Sequence, residues 1–505
     1  MTFLSGWRLW QRMALAAALG VIAALGLAPT SIWVATIAAL LTVPALFQAA
    51  RSRGQAAWTG WAFATGYFGH ALVWIVEPFM VDVARHGWMA PFALGLIAGG
   101  LALFWAAAFA LAAMPWRGAE QRILLLALAL GVAECARGYV FSGFPWAGLA
   151  QIWVGTDASL LLAWSGPNGL ALITLLVALL PGAALALGRG GAALLLRCLP
   201  AVAFGLAIAA ADSGRPDIAM SGKTVRLVQP NAPQHQKWDP DWYPVFLERK
   251  IEFTGAGPRP DMVVWPESAL PYWLERAGPV LQEIADAARG APVVIGANRA
   301  SGPRIFNSMA VLGPGGDVDQ VYDKHHLVPF GEYVPFGDLL ERIGISGFAS
   351  RDGQGFSSGP GPAVIRIAGI GAALPLICYE AVFPQDVNGA PDRPDFLLQL
   401  TNDAWFGTWS GPYQHLAQAR MRAIEQGLPM VRVANTGVSA MIDPLGRITT
   451  AIPLNQAGYA DAELPLPLAP TAYSQTGDLP VVLAMLVLLI GVARIPVRPA
   501  AINSD

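Results

Sequence analysis

Eight apolar runs decide most of what this chain can fold into. They are roughly Met13 to Leu27, Ile32 to Ala49, Ala56 to Val76, Met89 to Met114, Ile123 to Val140, Leu160 to Ala186, Ala193 to Ala211 and Leu479 to Ala493. In lipid every backbone polar group must be satisfied internally, so an apolar run of about 20 residues reads as a spanning helix. Only 13% of the chain is charged, against roughly 25% in soluble globular proteins, which excludes an ordinary water-soluble enzyme. Of the 66 charged residues, 15 precede Ala211, so the polar material is gathered between the seventh and eighth runs. The net charge of -2 offers no basic excess, and nucleic acid is excluded as a partner.

The first run follows Arg8 and Arg12 and is short, as in a secretory leader. Pro29 and the second run follow at once, however, and no small-residue cleavage site stands out, so it too reads as a span. Arginine and lysine concentrate in cytoplasmic loops. With the N-terminus inside, cytoplasmic segments hold Arg8, Arg12, Arg51, Arg53, Arg117, Arg122, Arg189, Arg197, Arg494 and Arg498, while the opposite side holds only Arg85 and Arg137. Both termini are then cytoplasmic and the polar block faces outward. The expected organisation is a seven-span membrane domain over 1–211, an extracytoplasmic domain over 212–471, and a final span with a cytoplasmic tail over 472–505. The loop from Phe141 to Ala158, with Phe144, Pro145 and Trp146, reads as an interfacial aromatic belt or, more sharply, as a shaped rim beneath the extramembrane domain. Glu134 and Arg137, three residues apart in the fifth run, read as a structural pair or as a functional site.

In the polar block, short β-branched runs alternate with helical stretches. Thr224 to Gln229, Met262 to Trp265, Val293 to Ile295, Ser308 to Leu312, Ala373 to Cys378, Phe396 to Leu400 and Val438 to Ile442 read as strands; Leu247 to Phe253, Val280 to Arg289 and Gln414 to Glu425 read as helices. That mixture predicts a layered α/β domain.

Of three cysteines, Cys135 and Cys198 fall inside predicted spans, which leaves Cys378 as the only thiol of the polar block. A lone buried cysteine is most often a small apolar side chain. Cys378, however, closes a predicted strand and is followed by Tyr379 and Glu380, a junction that can present a nucleophile beside backbone N–H groups. A thiol is mostly protonated near neutrality, so it needs a base. Glu267, just after the strand ending at Trp265, and Lys324, one of only four lysines, are the candidate partners. A strand-end carboxylate is ordinarily solvated and a lysine ordinarily surface decoration, but Lys324 sits among apolar residues, proline and glycine, where it would be a fixed cation. His325 and His326 are too few for a metal site.

Three segments, Trp265-Pro266-Glu267, Lys324 with the following His325-His326-Leu327-Val328-Pro329-Phe330-Gly331-Glu332, and Ile377-Cys378-Tyr379-Glu380, resemble the Glu-Lys-Cys triad of the nitrilase superfamily. The longer wording, Pro329 to Pro335 and Thr401-Asn402-Asp403-Ala404-Trp405-Phe406-Gly407, resembles its membrane branch, the apolipoprotein N-acyltransferases. The resemblance implies an eight-span helical bundle carrying a nitrilase-like αββα sandwich in a bacterial inner membrane, with the sandwich on the periplasmic side. It implies Cys378 as nucleophile, Glu267 as general base, Lys324 as oxyanion stabiliser and Glu332 as a supporting carboxylate. Trp238, Tyr379 and Glu380 match positions important for activity or substrate loops, and Trp405 would lie on an arm over the membrane. The implied reaction is ping-pong. An acyl chain passes from a phospholipid, typically phosphatidylethanolamine, to Cys378, and then to the α-amino group of an S-diacylglyceryl-cysteine apolipoprotein. The alternative is a membrane-anchored nitrilase-type amidohydrolase using water. A transporter or receptor would leave Glu267, Lys324 and Cys378 without a role. Neither a metal nor a dissociable cofactor is called for.

Overall fold

A computed structural model describes residues 4, 6–114, 117–188, 190–333, 335 and 355–495. Arg189, Val334 and Arg498, used above, lie outside the described residues. The chain divides into two compact units: a helical one, Met1–Arg215 with Thr476–Asp505, and a sheet-bearing one, Pro216–Gln475.

The helical unit contains α1 (Leu9–Ala24), α2 (Trp33–Gln48), α3 (Arg53–Ala71), α4 (Ala90–Ala112), α5 (Ala119–Arg137), α6 (Leu162–Ala186), α7 (Gly191–Ser213) and a closing helix, Leu479–Arg494. Each apolar run thus becomes helical. Among the described residues, three stretches, Val83–Ala112, Asp157–Ala186 and Gly191–Ser213, are long and apolar enough to cross a membrane. The helices α1, α2 and Leu479–Arg494 are apolar but have 16 residues each, short of the roughly 20 that span a hydrocarbon core. In α7, Leu195, Leu196 and Leu206 are all about two-thirds exposed or more, a face suited to hydrocarbon rather than water. Helix α6 bends at Gly166, whose φ of 61° interrupts the helical path just before Pro167.

Close helix packing in this unit relies on small residues. A Cβ on Gly20 would strike the Phe63 carbonyl, and one on Gly66 would strike that of Ala17, so α1 and α3 approach at both places through glycine. Glu134 and Arg137 are paired at 2.9 Å and almost wholly buried. Trp105 Nε1 donates to Glu134 at 2.8 Å, and Arg137 Nη1 donates to the carbonyls of Phe144 and Trp146 at 2.6 Å. The pair is therefore a structural staple. It also corrects the aromatic-belt reading for Trp146, which has no exposed surface and packs on Trp74 at 4.5 Å between ring centroids.

Among the described residues the second unit has twelve strands: β1 (Met220–Gln229), β2 (Met262–Val264), β3 (Val293–Ser301), β4 (Arg304–Leu312), β5 (Val318–Asp323), β6 (Ile365–Ile367), β7 (Gly371–Ile377), β8 (Phe396–Thr401), β9 (Met430–Ala434), β10 (Ser439–Ile442), β11 (Ile448–Ile452) and β12 (Gly458–Pro465). They form two six-stranded sheets, in the orders β12-β1-β2-β3-β4-β5 and β11-β10-β9-β8-β7-β6. Val225, Val264, Met309, Ala373, Leu398 and Val433 share the core between the sheets. Helices α8 (Tyr243–Gly255) and α9 (Gly278–Ala288) cover the outer face of the first sheet through Leu247, Leu281 and Ile284. Helix α10 (Gly411–Gln426) covers the second through Leu416, Ala419 and Ala423. The layers run helix, sheet, sheet, helix. The central strands β1-β2-β3 and β7-β8-β9 are parallel pairs, so the segments leaving β2 and β7 emerge at carboxyl ends, where open α/β sheets place their chemistry.

Each of the ten segments expected in this block has an element at its position, but five further strands, β5, β6, β9, β11 and β12, gave no clear pattern. Cys378 is the instructive difference at an expected boundary. It is not in β7 but opens a short 3₁₀ turn, Cys378–Val382, with φ at 52°.

Gly296 in β3 lies so near the chain leaving β2 that a Cβ there would fall 2.6 Å from Ser268 N and 2.7 Å from Glu267 Cα. Gly296→Ala is expected to destabilise the protein by about 1–3 kcal/mol through overpacking, seen as a lower Tm in detergent, with the Glu267 segment displaced.

Candidate active site

Glu267 leaves β2 through Trp265 and Pro266, and Ser268 after it takes a left-handed φ of 46°. Lys324 follows β5, which pairs antiparallel with β4, and Asn307 on β4 sits beside it. Glu332 lies eight positions on, after a turn in which its N–H donates to the Val328 carbonyl at 2.9 Å. These positions come from separate strands, yet their side chains meet. Lys324 Nζ lies 2.8 Å from Glu332 Oε2 and 3.9 Å from Glu267 Oε1. Asn307 Nδ2 donates to Glu267 Oε1 at 2.7 Å and to Glu332 Oε1 at 3.1 Å. Val328 N–H donates to Glu332 Oε2 at 2.8 Å.

Lys324 is 1% exposed, too buried to remain charged without partners. Burial disfavours its ammonium, but Glu332, Glu267 and Cys378 outweigh that, and its pKa is raised. The cation is therefore permanent in the working pH range. Cys378 is driven the other way: burial first, then the Glu267 carboxylate, hold its thiol protonated, with Lys324 and the Thr401 hydroxyl opposing them. A thiol held protonated in this way would have to lose its proton to act as a nucleophile.

Tyr379 and Glu380 are also buried, but their contacts differ from those of the triad. Glu380 Oε2 accepts from Ile377 N at 2.7 Å, and Oε1 accepts from Tyr322 Oη and His325 N, both at 2.8 Å. Glu380 thereby ties the strand end bearing Cys378 to the segment bearing Lys324. His326 stacks on Phe383 at 3.7 Å, while Tyr379 meets Phe383 edge-on at 4.8 Å. Trp238 is half-buried beneath Lys237 Nζ, 5.4 Å from its ring centroid, and lines a small cleft that Glu267 also lines. Trp405 is half-buried on the turn Asp403–Phe406, and among the described residues the electrostatic link from that turn to Cys378 runs through Asp403.

Two further lysines brace the Glu267 turn. Lys237 Nζ donates to Glu267 O at 3.0 Å and Lys250 Nζ donates to Ala269 O at 2.6 Å, on either side of the left-handed Ser268. Sequence reading passed over both, and over Asn307, because a lysine or asparagine in an amphipathic pattern gives no sign of its partner.

The helical unit and the sheet unit have separate counterparts among known proteins. Residues 19–180 match the family model of the apolipoprotein N-acyltransferase N-terminal domain, and residues 251–472 match the carbon-nitrogen hydrolase model. The apolipoprotein N-acyltransferase of Rhodopseudomonas palustris is 37% identical over 517 residues, covering 96% of this chain and 95% of that protein. The chain belongs to the apolipoprotein N-acyltransferase family. Another family member, from Caulobacter vibrioides, is 39% identical over 475 residues, covering 89% and 87% of the two chains. Among solved structures, a CN-hydrolase superfamily protein from Xanthomonas campestris aligns at 21% identity and a TM-score of 0.34, covering 52% of this chain and 96% of that one.

Two outcomes follow from the charges. Glu332→Ala strands the Lys324 ammonium in a buried site, and is expected to cost about 3–5 kcal/mol, measured as a lowered Tm. Lys250 is pushed down by burial, then by Lys237 and Arg249, from 10.5 to about 7. Between those values the unfolded chain binds the proton and the native chain does not, so the contribution of Lys250 makes stability rise with pH. Lys250→Met is expected to shrink the Tm gain between pH 7 and pH 9.5 relative to wild type.

Proposed function

We propose that the buried cluster of Glu267, Lys324 and Glu332 beside Cys378 carries out the acyl transfer of this family. The protein is an acyltransferase acting through a cysteine thioester in lipoprotein maturation. The observation that carries the assignment of roles is a buried cation, Lys324, held by two carboxylates within electrostatic reach of a protonated thiol.

The donor is a membrane phospholipid, phosphatidylethanolamine in the first instance. Cys378 Sγ attacks the ester carbonyl as Glu267 takes the thiol proton. Lys324 and the backbone N–H of Tyr379 face the oxyanion. The tetrahedral adduct collapses with cleavage of the ester C–O bond, and Glu267 returns the proton to the departing lysophospholipid alkoxide. In the second half the α-amino group of an S-diacylglyceryl-cysteine apolipoprotein attacks the thioester, Glu267 takes an amine proton, and the C–S bond breaks to release the N-acylated product as Glu267 returns that proton to the Cys378 sulfur. Glu332 and Asn307 position Lys324 and Glu267 and touch no reacting atom. The direction of these charges fits the sequence: a base is needed only when the thiol reacts, whereas a cation is needed throughout.

The same proposal covers placement. The apolar runs and the arginine pattern favour eight spans, cytoplasmic termini and a periplasmic domain over 212–471. Substrates with acyl chains cost about 0.8 kcal/mol per CH₂ to bring into water, so a catalyst anchored in the bilayer meets them where they already reside. Trp405 on an arm and Trp238 at the cleft are assigned to substrate contact. Whole-length similarity to acyltransferases favours an amine acceptor over water, the hydrolase alternative.

Purified wild type incubated with acyl-labelled phosphatidylethanolamine is expected to carry label on Cys378, and Cys378→Ala none. Discharge should need a diacylated peptide. Absence of a Cys378 thioester would overturn the mechanism, and discharge at equal rates without peptide would indicate a hydrolase.

A further inference from the structure

Behind Cys378, in the layer between the second sheet and α10, lies a polar network that the reaction above does not use. Its setting is apolar: Leu374, Leu397, Leu416, Ala419 and Met430 pack there. Yet Gln399, Asp403, His415 and Arg432 are all buried, none of them exposed at all. Buried ions in such a layer are often no more stabilising than well-packed apolar residues, so the contacts they make matter more than their stability.

Those contacts converge on one backbone atom. Gln399 Nε2 lies 3.2 Å from the Cys378 carbonyl oxygen and 3.1 Å from His415 Nε2. Arg432 Nη1 donates to Gln399 Oε1 at 2.6 Å, which fixes the orientation of the amide. His415 Nδ1 lies 2.9 Å from Asp403 Oδ1, and Asp403 Oδ2 accepts from Arg432 Nη2 at 2.6 Å. His415 Nε2 is itself 3.1 Å from the Cys378 oxygen. Burial and then Arg432 lower the His415 pKa, so the ring is neutral. With its proton on Nδ1, the ring donates to Asp403 and Nε2 accepts from Gln399; Nε2 then makes no hydrogen bond to the Cys378 oxygen, and the other Gln399 amide hydrogen is the donor to it. Gly437 lets the neighbouring loop press against Asp403, since a Cβ there would collide with its carboxylate.

A trans peptide holds its C=O and its following N–H on opposite sides. Clamping the Cys378 carbonyl toward α10 therefore turns the Tyr379 N–H away from that layer. Accepting a hydrogen bond at the oxygen also strengthens the N–H of the same peptide as a donor. Cys378 needs such support, because its left-handed φ of 52° is strained for a residue with a Cβ.

We propose that Gln399, locked by His415 and Arg432, is a positioning residue that clamps the Cys378 carbonyl and so aims the Tyr379 N–H at the oxyanion. This rests on the acyl-transfer reading for its biological meaning, but not for its test. A long-chain aldehyde such as hexadecanal adds to a thiol to give a thiohemiacetal: the S–C bond forms, the carbonyl π bond opens, and the thiol proton ends on the new hydroxyl or leaves an oxyanion. Iodoacetamide alkylates the same sulfur by displacing iodide, with no oxyanion. The full-length protein in detergent is treated with both probes, and modification of Cys378 is followed by peptide mass spectrometry. In Gln399→Leu, protection by hexadecanal is expected to weaken about ten- to hundred-fold, less than the roughly hundred- to thousand-fold cost of removing an oxyanion donor outright, while alkylation is nearly unchanged. His415→Gln keeps an acceptor for Gln399 and should lose less, giving an intermediate result and a second route should Gln399→Leu fold poorly. Parallel loss of both reactions, or no change in either, would overturn the clamp. A wild type that binds the aldehyde normally but never takes an acyl group from phospholipid would instead overturn the acyl-transfer reading and leave the clamp standing.

Discussion

The site depends on one ammonium group held where water cannot reach it. Lys324 is 1% exposed, and Glu332, Glu267 and Asn307 surround it from three different segments. A buried cation is tolerable only when paired and hydrogen-bonded. That requirement forces the turn after Val328 to bring Glu332 back, the chain after β2 to turn at Ser268, and β4 to present Asn307. The architecture around the site is largely the set of backbone paths that make one charge affordable.

The two residues expected to do the covalent and proton-transfer work stand on similar ground. Glu267 precedes a residue of left-handed φ, and Cys378 is one itself. In each case buried side chains hold the adjacent carbonyls: Lys237 and Lys250 at the first, Gln399 at the second. Strained backbone persists only where its surroundings over-determine it. The parallel strands supply the positions, and these donors hold the chain in them.

Apart from β9, the parallel core strands were legible from their apolar, β-branched runs, and Glu267, Lys324 and Cys378 stood out because each follows such a run in a distinctive local wording. The edge strands were not. In β5 the exposed Val318, Asp319 and Val321 alternate with little regard to polarity, and β11 is mostly exposed, so neither shows a buried stripe. The polar network was hidden for another reason. Gln399 sits at a strand position whose partners are thirty-three residues away at Arg432 and sixteen away at His415, and pairing across that distance leaves no periodicity. Asp403 lay in a segment whose resemblance drew attention to Trp405 instead. In the helical unit the apolar runs gave the helices, but Glu134 and Arg137 remained ambiguous until Phe144 and Trp146 were seen to accept from the guanidinium.

Burial of the Cys378 thiol has a consequence apart from turnover. Oxidation proceeds through the thiolate and needs access to it. A thiol 6% exposed and kept protonated by its surroundings offers neither. The proposed nucleophile is therefore slow to drift to sulfenic acid while it rests. In the proposed reaction it becomes reactive only as Glu267 takes its proton, so the arrangement that slows the resting sulfur also sets how long it lasts.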